Sequence, residues 1–142
     1  MLILLKLFKK ILSFMMLDEI RKVLEKEKKV LFAYLFGSSA RNEKYSKDVD
    51  IAIVIKGKVP LNYESKLALK IERVTSKPVE VIVLNDRPLL FISEVLRQGK
   101  LIFSRNEKER VRFETFMLTN ILAFNELMKE FDRMRFKRYG IG

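Results

Sequence analysis

Two short stretches near the start of the chain are apolar at nearly every position: Val30-Leu31-Phe32-Ala33-Tyr34-Leu35-Phe36, which ends at Gly37, and Ile51-Ala52-Ile53-Val54-Ile55. Their β-branched and aromatic content predicts two buried strands, near 30–36 and 49–55. A third run, Val79 to Leu84 after Pro78, alternates. Val79, Val81 and Val83 share one side, and Glu80, Ile82 and Leu84 the other, so an acid stands on an otherwise apolar face. Helical patterns fall between these runs. Asp18 to Lys29 has an acidic first turn and a lysine-rich last one. Leu61 to Ser76 follows a Gly57 and Pro60 turn, and Pro88 to Gln98 is ended by Gly99. A short strand over Leu101 to Phe103 completes the sheet, and Asn106 begins a helix reaching about Lys137. The order predicts an α/β domain with a mixed, twisted sheet flanked by helices and a long C-terminal helix, without repeats or low-complexity linkers.

The two ends of the chain have patterns of their own. In residues 2–16, Lys6, Lys9, Lys10 and Ser13 interrupt an otherwise apolar sequence and fall on an arc of about 100° at helical spacing. This predicts an amphipathic helix over 1–17, ahead of a core at 18–105. The lysines break the apolar run below the ~20 residues that a spanning helix needs, and no signal-peptide cleavage site follows, so the chain is expected in the cytoplasm. The apolar face has three possible docking places, ranked as the domain core, a partner and a membrane surface. In the C-terminal segment, 106–142, Phe113, Met117, Ile121, Phe124, Met128 and Phe131 form a stripe. Such a stripe is commonly intramolecular core, but a helix of about thirty residues spans ~45 Å and is expected to overhang a small domain, leaving part of the stripe for another chain.

Composition narrows the chemistry. The 142 residues, about half of them hydrophobic, can build one core but hardly two. With no cysteine and no histidine, the chain has no disulfides, no thiolate zinc site and no serine–histidine or cysteine–histidine catalysis. Any catalysis must rest on carboxylates and metal. Its many lysines and glutamates are compatible with a thermophilic source. The net charge of +11 is concentrated at Lys6, Lys9 and Lys10 and at Lys129, Arg133, Arg135, Lys137 and Arg138. This is either solvated surface or a contact for a nucleotide, RNA or an acidic partner; without an aromatic-interleaved RNA-binding pattern, no stable nucleic-acid binding is expected.

The strongest chemical signal lies between the first two strands. Gly37-Ser38 is followed, after a spacer, by Asp48-Val49-Asp50. On strand alternation the two aspartates point the same way, ~7 Å apart, and repel unless a cation sits between them. Hard oxygen ligands suit Mg²⁺, and a pair of such ions can hold a nucleoside triphosphate for in-line attack. Ser38, opening a short helix over 39–45, would turn its hydroxyl and free N–H groups toward a phosphate, and Arg41 would add a charge-assisted contact. Taken singly, Gly-Ser reads as an ordinary turn and Asp-x-Asp as a solvated strand start; the order and context join them into one site.

The stretch Tyr34-Leu35-Phe36-Gly37-Ser38-Ser39-Ala40-Arg41, then Asp48-Val49-Asp50-Ile51-Ala52-Ile53, resembles the signature of the DNA polymerase beta-like nucleotidyltransferase superfamily, and most closely its minimal (MNT) branch. Asn42 stands where that branch usually has glycine. A looser likeness runs through Gln98-Gly99-Lys100-Leu101-Ile102-Phe103 into the C-terminal helix, covering residues 18 to about 135. Because it starts near Leu17, Met15 or Met16 is a candidate native start, which the mass of the natively expressed protein tests. The resemblance implies a third carboxylate on a later strand, which makes Glu80 the candidate, although the family more often has aspartate there; the alternative is a frayed strand end paired with a lysine. It further implies that Asp48, Asp50 and Glu80 hold two Mg²⁺ ions, that Gly37 and Ser38 hold the triphosphate of ATP, and that Arg41 contacts phosphate.

Minimal nucleotidyltransferases are commonly encoded with HEPN-domain ribonuclease toxins and act as antitoxins by transferring AMP from ATP to a toxin tyrosine. The resemblance therefore implies a Mg²⁺-dependent protein adenylyltransferase antitoxin in a hetero-oligomer with a HEPN toxin. The alternatives are an inactive antitoxin that neutralises by binding alone, and a small-molecule nucleotidyltransferase, although this chain lacks the second domain with which such enzymes hold their acceptor.

Overall fold

The structure is a computed structural model and describes residues 1–37 and 48–140. Helix α1 (Leu2–Lys26) leads into strand β1 (Val30–Phe36), and β2 (Val49–Ile55) returns antiparallel to it. Helix α2 (Tyr63–Thr75) crosses to β3 (Val79–Val83), which runs parallel to β2. Helix α3 (Leu89–Gln98) leads to β4 (Lys100–Ser104), antiparallel to β1, and α4 (Glu107–Arg138) closes the described chain. The resulting mixed sheet has the order β3-β2-β1-β4.

Both faces of this sheet are covered, which is why β1 and β2 read as near-continuous apolar runs. On one face Val49, Ile51, Ile53 and Ile55 pack with Ile20 and Leu24 of α1 and Leu67 and Ile71 of α2. On the other, Phe32, Tyr34, Ala52 and Val54 pack with Ile92 and Val95 of α3 and, at the margin, Phe113 and Met117 of α4. Gly99 ends α3 by close approach: a Cβ there would lie 2.4 Å from the Val95 carbonyl oxygen and 3.2 Å from that of Leu35.

Two polar contacts tie the layers together. Arg105, just after β4, donates from Nε to the Val30 carbonyl (3.0 Å) and from a terminal nitrogen to those of Leu24 (3.0 Å) and Glu25 (2.8 Å). It thereby ties the carbonyl end of α1, where Leu24 also accepts from the Glu27 N–H, to the start of β1. Tyr34, in the core, donates its hydroxyl to Glu114 of α4 at 2.5 Å, and Glu114 also accepts from Arg110 at 2.9 Å. Burial first, and then the Glu114 carboxylate, push the Tyr34 phenol far above its ordinary pKa, so it remains a donor.

Two features differ from the sequence expectation. The separate helices expected at 2–16 and from Asp18 are one continuous helix. No glycine or proline interrupts the junction, and Asp18 pairs with Lys22 (3.4 Å) along the helix. The apolar face of residues 2–15 does not dock on the domain core, the placement ranked first: Leu4, Phe8, Ile11 and Met15 are all half exposed or more. Helix α4 has no fully buried residue, and its half-buried stripe runs through Phe113, Met117, Ile121 and Phe124 before Met128 and Phe131 emerge into solvent.

Candidate active site

The predicted carboxylates lie where β1 ends and both β2 and β3 begin. In the sheet register Asp50 stands between Phe36 of β1 and Glu80 of β3. Alternation turns Val49 and Ile51 into the first core cluster and leaves Asp50 on the opposite face, half-buried. Glu80 shares that face but is exposed, so the acid expected among apolar neighbours sits at the rim, while Val79, Val81 and Val83, on the other side, are buried. Asp48 occupies an exposed bend just before β2. Strand alternation, the basis for orienting it alongside Asp50, therefore does not govern its side chain.

Gly37 meets this group directly. Its φ of +67° is a conformation that L side chains rarely adopt, and a Cβ there would lie 2.6 Å from the Asp50 carboxylate oxygen Oδ2. The glycine singled out for phosphate approach thus has a further role, clearing the space that the Asp50 carboxylate fills. Ser38, Arg41 and the helix expected over 39–45 lie outside the described residues. Phe36, the strand neighbour of Asp50, meets Phe91 of α3 edge to face, with ring centres 6.0 Å apart. The sequence reading did not single out either; the signal available was Phe36 immediately before Gly37.

The electrostatics single out Asp50. Desolvation raises its pKa, the charges of Glu80 and then Asp48 add to the rise, and a hydrogen bond with Glu80 contributes further. The protein therefore crowds negative charge around a partly desolvated carboxyl, an arrangement that a hard cation would relieve. The donors suit Mg²⁺, being carboxylate oxygens only. As they stand, no three acidic side chains among the described residues are gathered tightly enough to hold a metal ion. The fit thus lies in donor chemistry and in the Asp50–Glu80 pairing.

Comparison with known proteins agrees with this architecture. Residues 18–108 match the polymerase beta, nucleotidyltransferase family. Among solved structures, the chain is similar to one in the complex of tri-AMPylated Shewanella oneidensis HEPN toxin with MNT antitoxin, at 21% identity and a TM-score of 0.64 over 89% of this chain and 98% of that one. A toxin–antitoxin structure with AMP-PNP matches at 21% identity and a TM-score of 0.64, over 87% of this chain and 98% of that one. The toxin–antitoxin MntA–HepT matches at 21% identity and a TM-score of 0.62, over 88% and 97%. At these identities the likeness establishes a shared fold. No curated protein sequence matches the chain.

Proposed function

The chain belongs to the polymerase beta nucleotidyltransferase family, and from that premise we propose that it is a Mg²⁺-dependent protein adenylyltransferase that acts as an antitoxin, transferring AMP from ATP to a tyrosine of a HEPN-domain toxin. The observation that carries this reading is the juxtaposition of Gly37, Asp50 and Glu80 at the meeting of β1, β2 and β3, in a fold shared with chains from MNT–HEPN complexes, one of them tri-AMPylated. The AMP-PNP in a toxin–antitoxin structure of similar fold supports ATP as the nucleotide.

Asp48, Asp50 and Glu80 would hold the metal, and Gly37 with Ser38 would face the triphosphate, with Arg41 contacting a phosphate. Bound Mg²⁺ would supply neutralisation of charge on the phosphates. In the transfer, the tyrosine hydroxyl oxygen forms a bond to the α-phosphorus and the bond to the β-phosphate bridging oxygen breaks, releasing pyrophosphate. The phenolic proton passes to a carboxylate, for which exposed Glu80 is the accessible candidate.

A second reading, antitoxin action by binding alone, is favoured by one observation: the three carboxylates do not form a close metal-holding group. Intact-mass spectrometry of the neighbouring gene's product, after incubation with this chain, ATP and Mg²⁺, decides between the two. Mass gains of whole AMP units, absent with the Asp48→Asn/Asp50→Asn double variant, are expected. A stable complex with no mass gain, and with toxin neutralisation that survives the double substitution, would establish binding alone.

A further inference from the structure

The first half of α1 is built the wrong way round for a helix that serves only its own domain. Its inward row, traced back from the core, runs Leu24, Ile20, Met16, Ser13, Lys9 and Lys6. Leu24 and Ile20 are fully buried, Met16, Ser13 and Lys9 are half-buried, and Lys6 is exposed. The domain side of the helix therefore changes from apolar to polar toward its start. The outward row does the opposite: Leu4, Phe8, Ile11 and Met15 continue as Asp18, Lys22 and Glu25, and every one of these is exposed. Apolar side chains thus face away from the domain along residues 2–15, and charged ones along 18–25, with an abrupt change after Leu17. That change falls where the family match begins.

We propose that residues 2–15 form an in-plane anchor for an anionic lipid surface, with the apolar sector in the acyl boundary and Lys6, Lys9 and Lys10 at the headgroups on the domain side. Two observations favour lipid over a protein occupant. The polar arc is only about 100° wide, so the apolar sector covers about 260° of the helix, whereas one packed protein face covers a stripe of little more than about 100°. Leu5, Leu7, Leu12 and Phe14, which flank the outward row, are also about half exposed or more and would remain so beside a single partner face. A lipid surface closes around all of them. In addition, residues 1–17 carry lysines and no acid, which complements phosphate headgroups. The segment is ~21 Å long, short of the ~30 Å hydrocarbon core, and no described helix is long and apolar enough to cross a membrane. It therefore lies on the surface. This placement is independent of the transferase reading.

The test is flotation of the full-length protein with vesicles of phosphatidylcholine alone and of phosphatidylcholine mixed with phosphatidylglycerol. Wild type is expected to float with the mixed vesicles. Phe8→Asp/Ile11→Asp, at exposed positions remote from the core, should lower partitioning at least about a hundredfold. Lys6→Glu/Lys10→Glu should cost about thirtyfold on the anionic vesicles and little on the neutral ones. Wild type that fails to float, or a Phe8→Asp/Ile11→Asp variant that floats equally well, overturns the proposal. So does a wild-type dimer in solution that the same variant converts to monomer, which would assign this face to a second copy. Weaker capture of the HEPN-domain chain by the variant, without any vesicle binding by wild type, would assign it to that protein.

Discussion

At Gly37 a missing methyl group leaves room for the Asp50 carboxylate, and this makes the residue's contribution separable from ordinary turn formation. Gly37→Ala brings a Cβ to 2.6 Å from Oδ2 at a φ of +67°. We expect AMP transfer to fall about a hundredfold from displacement of the carboxylate, with a stability loss of about 1–2 kcal/mol, read by intact mass and thermal melting. Asp50 presents the opposite balance. Desolvation, then the charges of Glu80 and Asp48, oppose its ionisation, so Asp50→Asn relieves both while removing a proposed metal ligand. The variant should melt about 1–3 °C higher than wild type and lose transfer at least a thousandfold. Lower thermal stability would instead make Asp50 a structural residue. Both aspartates and the glycine were legible from their order along the chain. The contact between Gly37 and Asp50 was not, because it depends on how the end of β1 meets the start of β2.

The strands were readable at the scale of elements because burial on both faces leaves apolar runs with sharp ends, and β1 and β2 fall at the expected positions. Helix α4 begins where Asn106 predicted, and the Asn106 side chain accepts from the Glu109 N–H at 3.1 Å. The contacts that join elements carried no such signal. Arg105 looked like one basic residue among many, yet it serves carbonyls at Leu24, Glu25 and Val30. Arg105→Met should lower stability by about 2 kcal/mol in urea without changing m, and Arg105→Lys should recover little of it, since an ammonium cannot reproduce the guanidinium fork. Tyr34→Phe strips Glu114 of one donor and should cost about 1 kcal/mol, with transfer activity unchanged.

For the whole molecule, the end of α4 outruns the domain. Beyond Phe124 its apolar side chains are exposed, including Leu127, Phe131, Met134 and Phe136, with Tyr139 beside them. Under the antitoxin reading this overhang is the expected toxin contact. Phe131→Glu/Met134→Glu should leave the melting temperature of the isolated chain within about 1 °C of wild type and weaken toxin binding at least about a hundredfold by calorimetry. Unchanged affinity would move the interface elsewhere.

The sequence by itself determined the class of fold, the order and ends of most elements, and the acids available for catalysis, because local periodicity and the absence of histidine and cysteine are properties of the chain alone. Tertiary structure decided which acids meet: β2 and β3 run parallel in a register that sets Glu80 beside Asp50, while Asp48 waits in a bend outside the strand. It also decided the direction of α1. A helical wheel shows an apolar sector and a lysine arc, but not which of them faces the domain. That follows from the burial of Ile20 and Leu24, which fixes the rotation of one rigid helix and turns the apolar side of its first half outward.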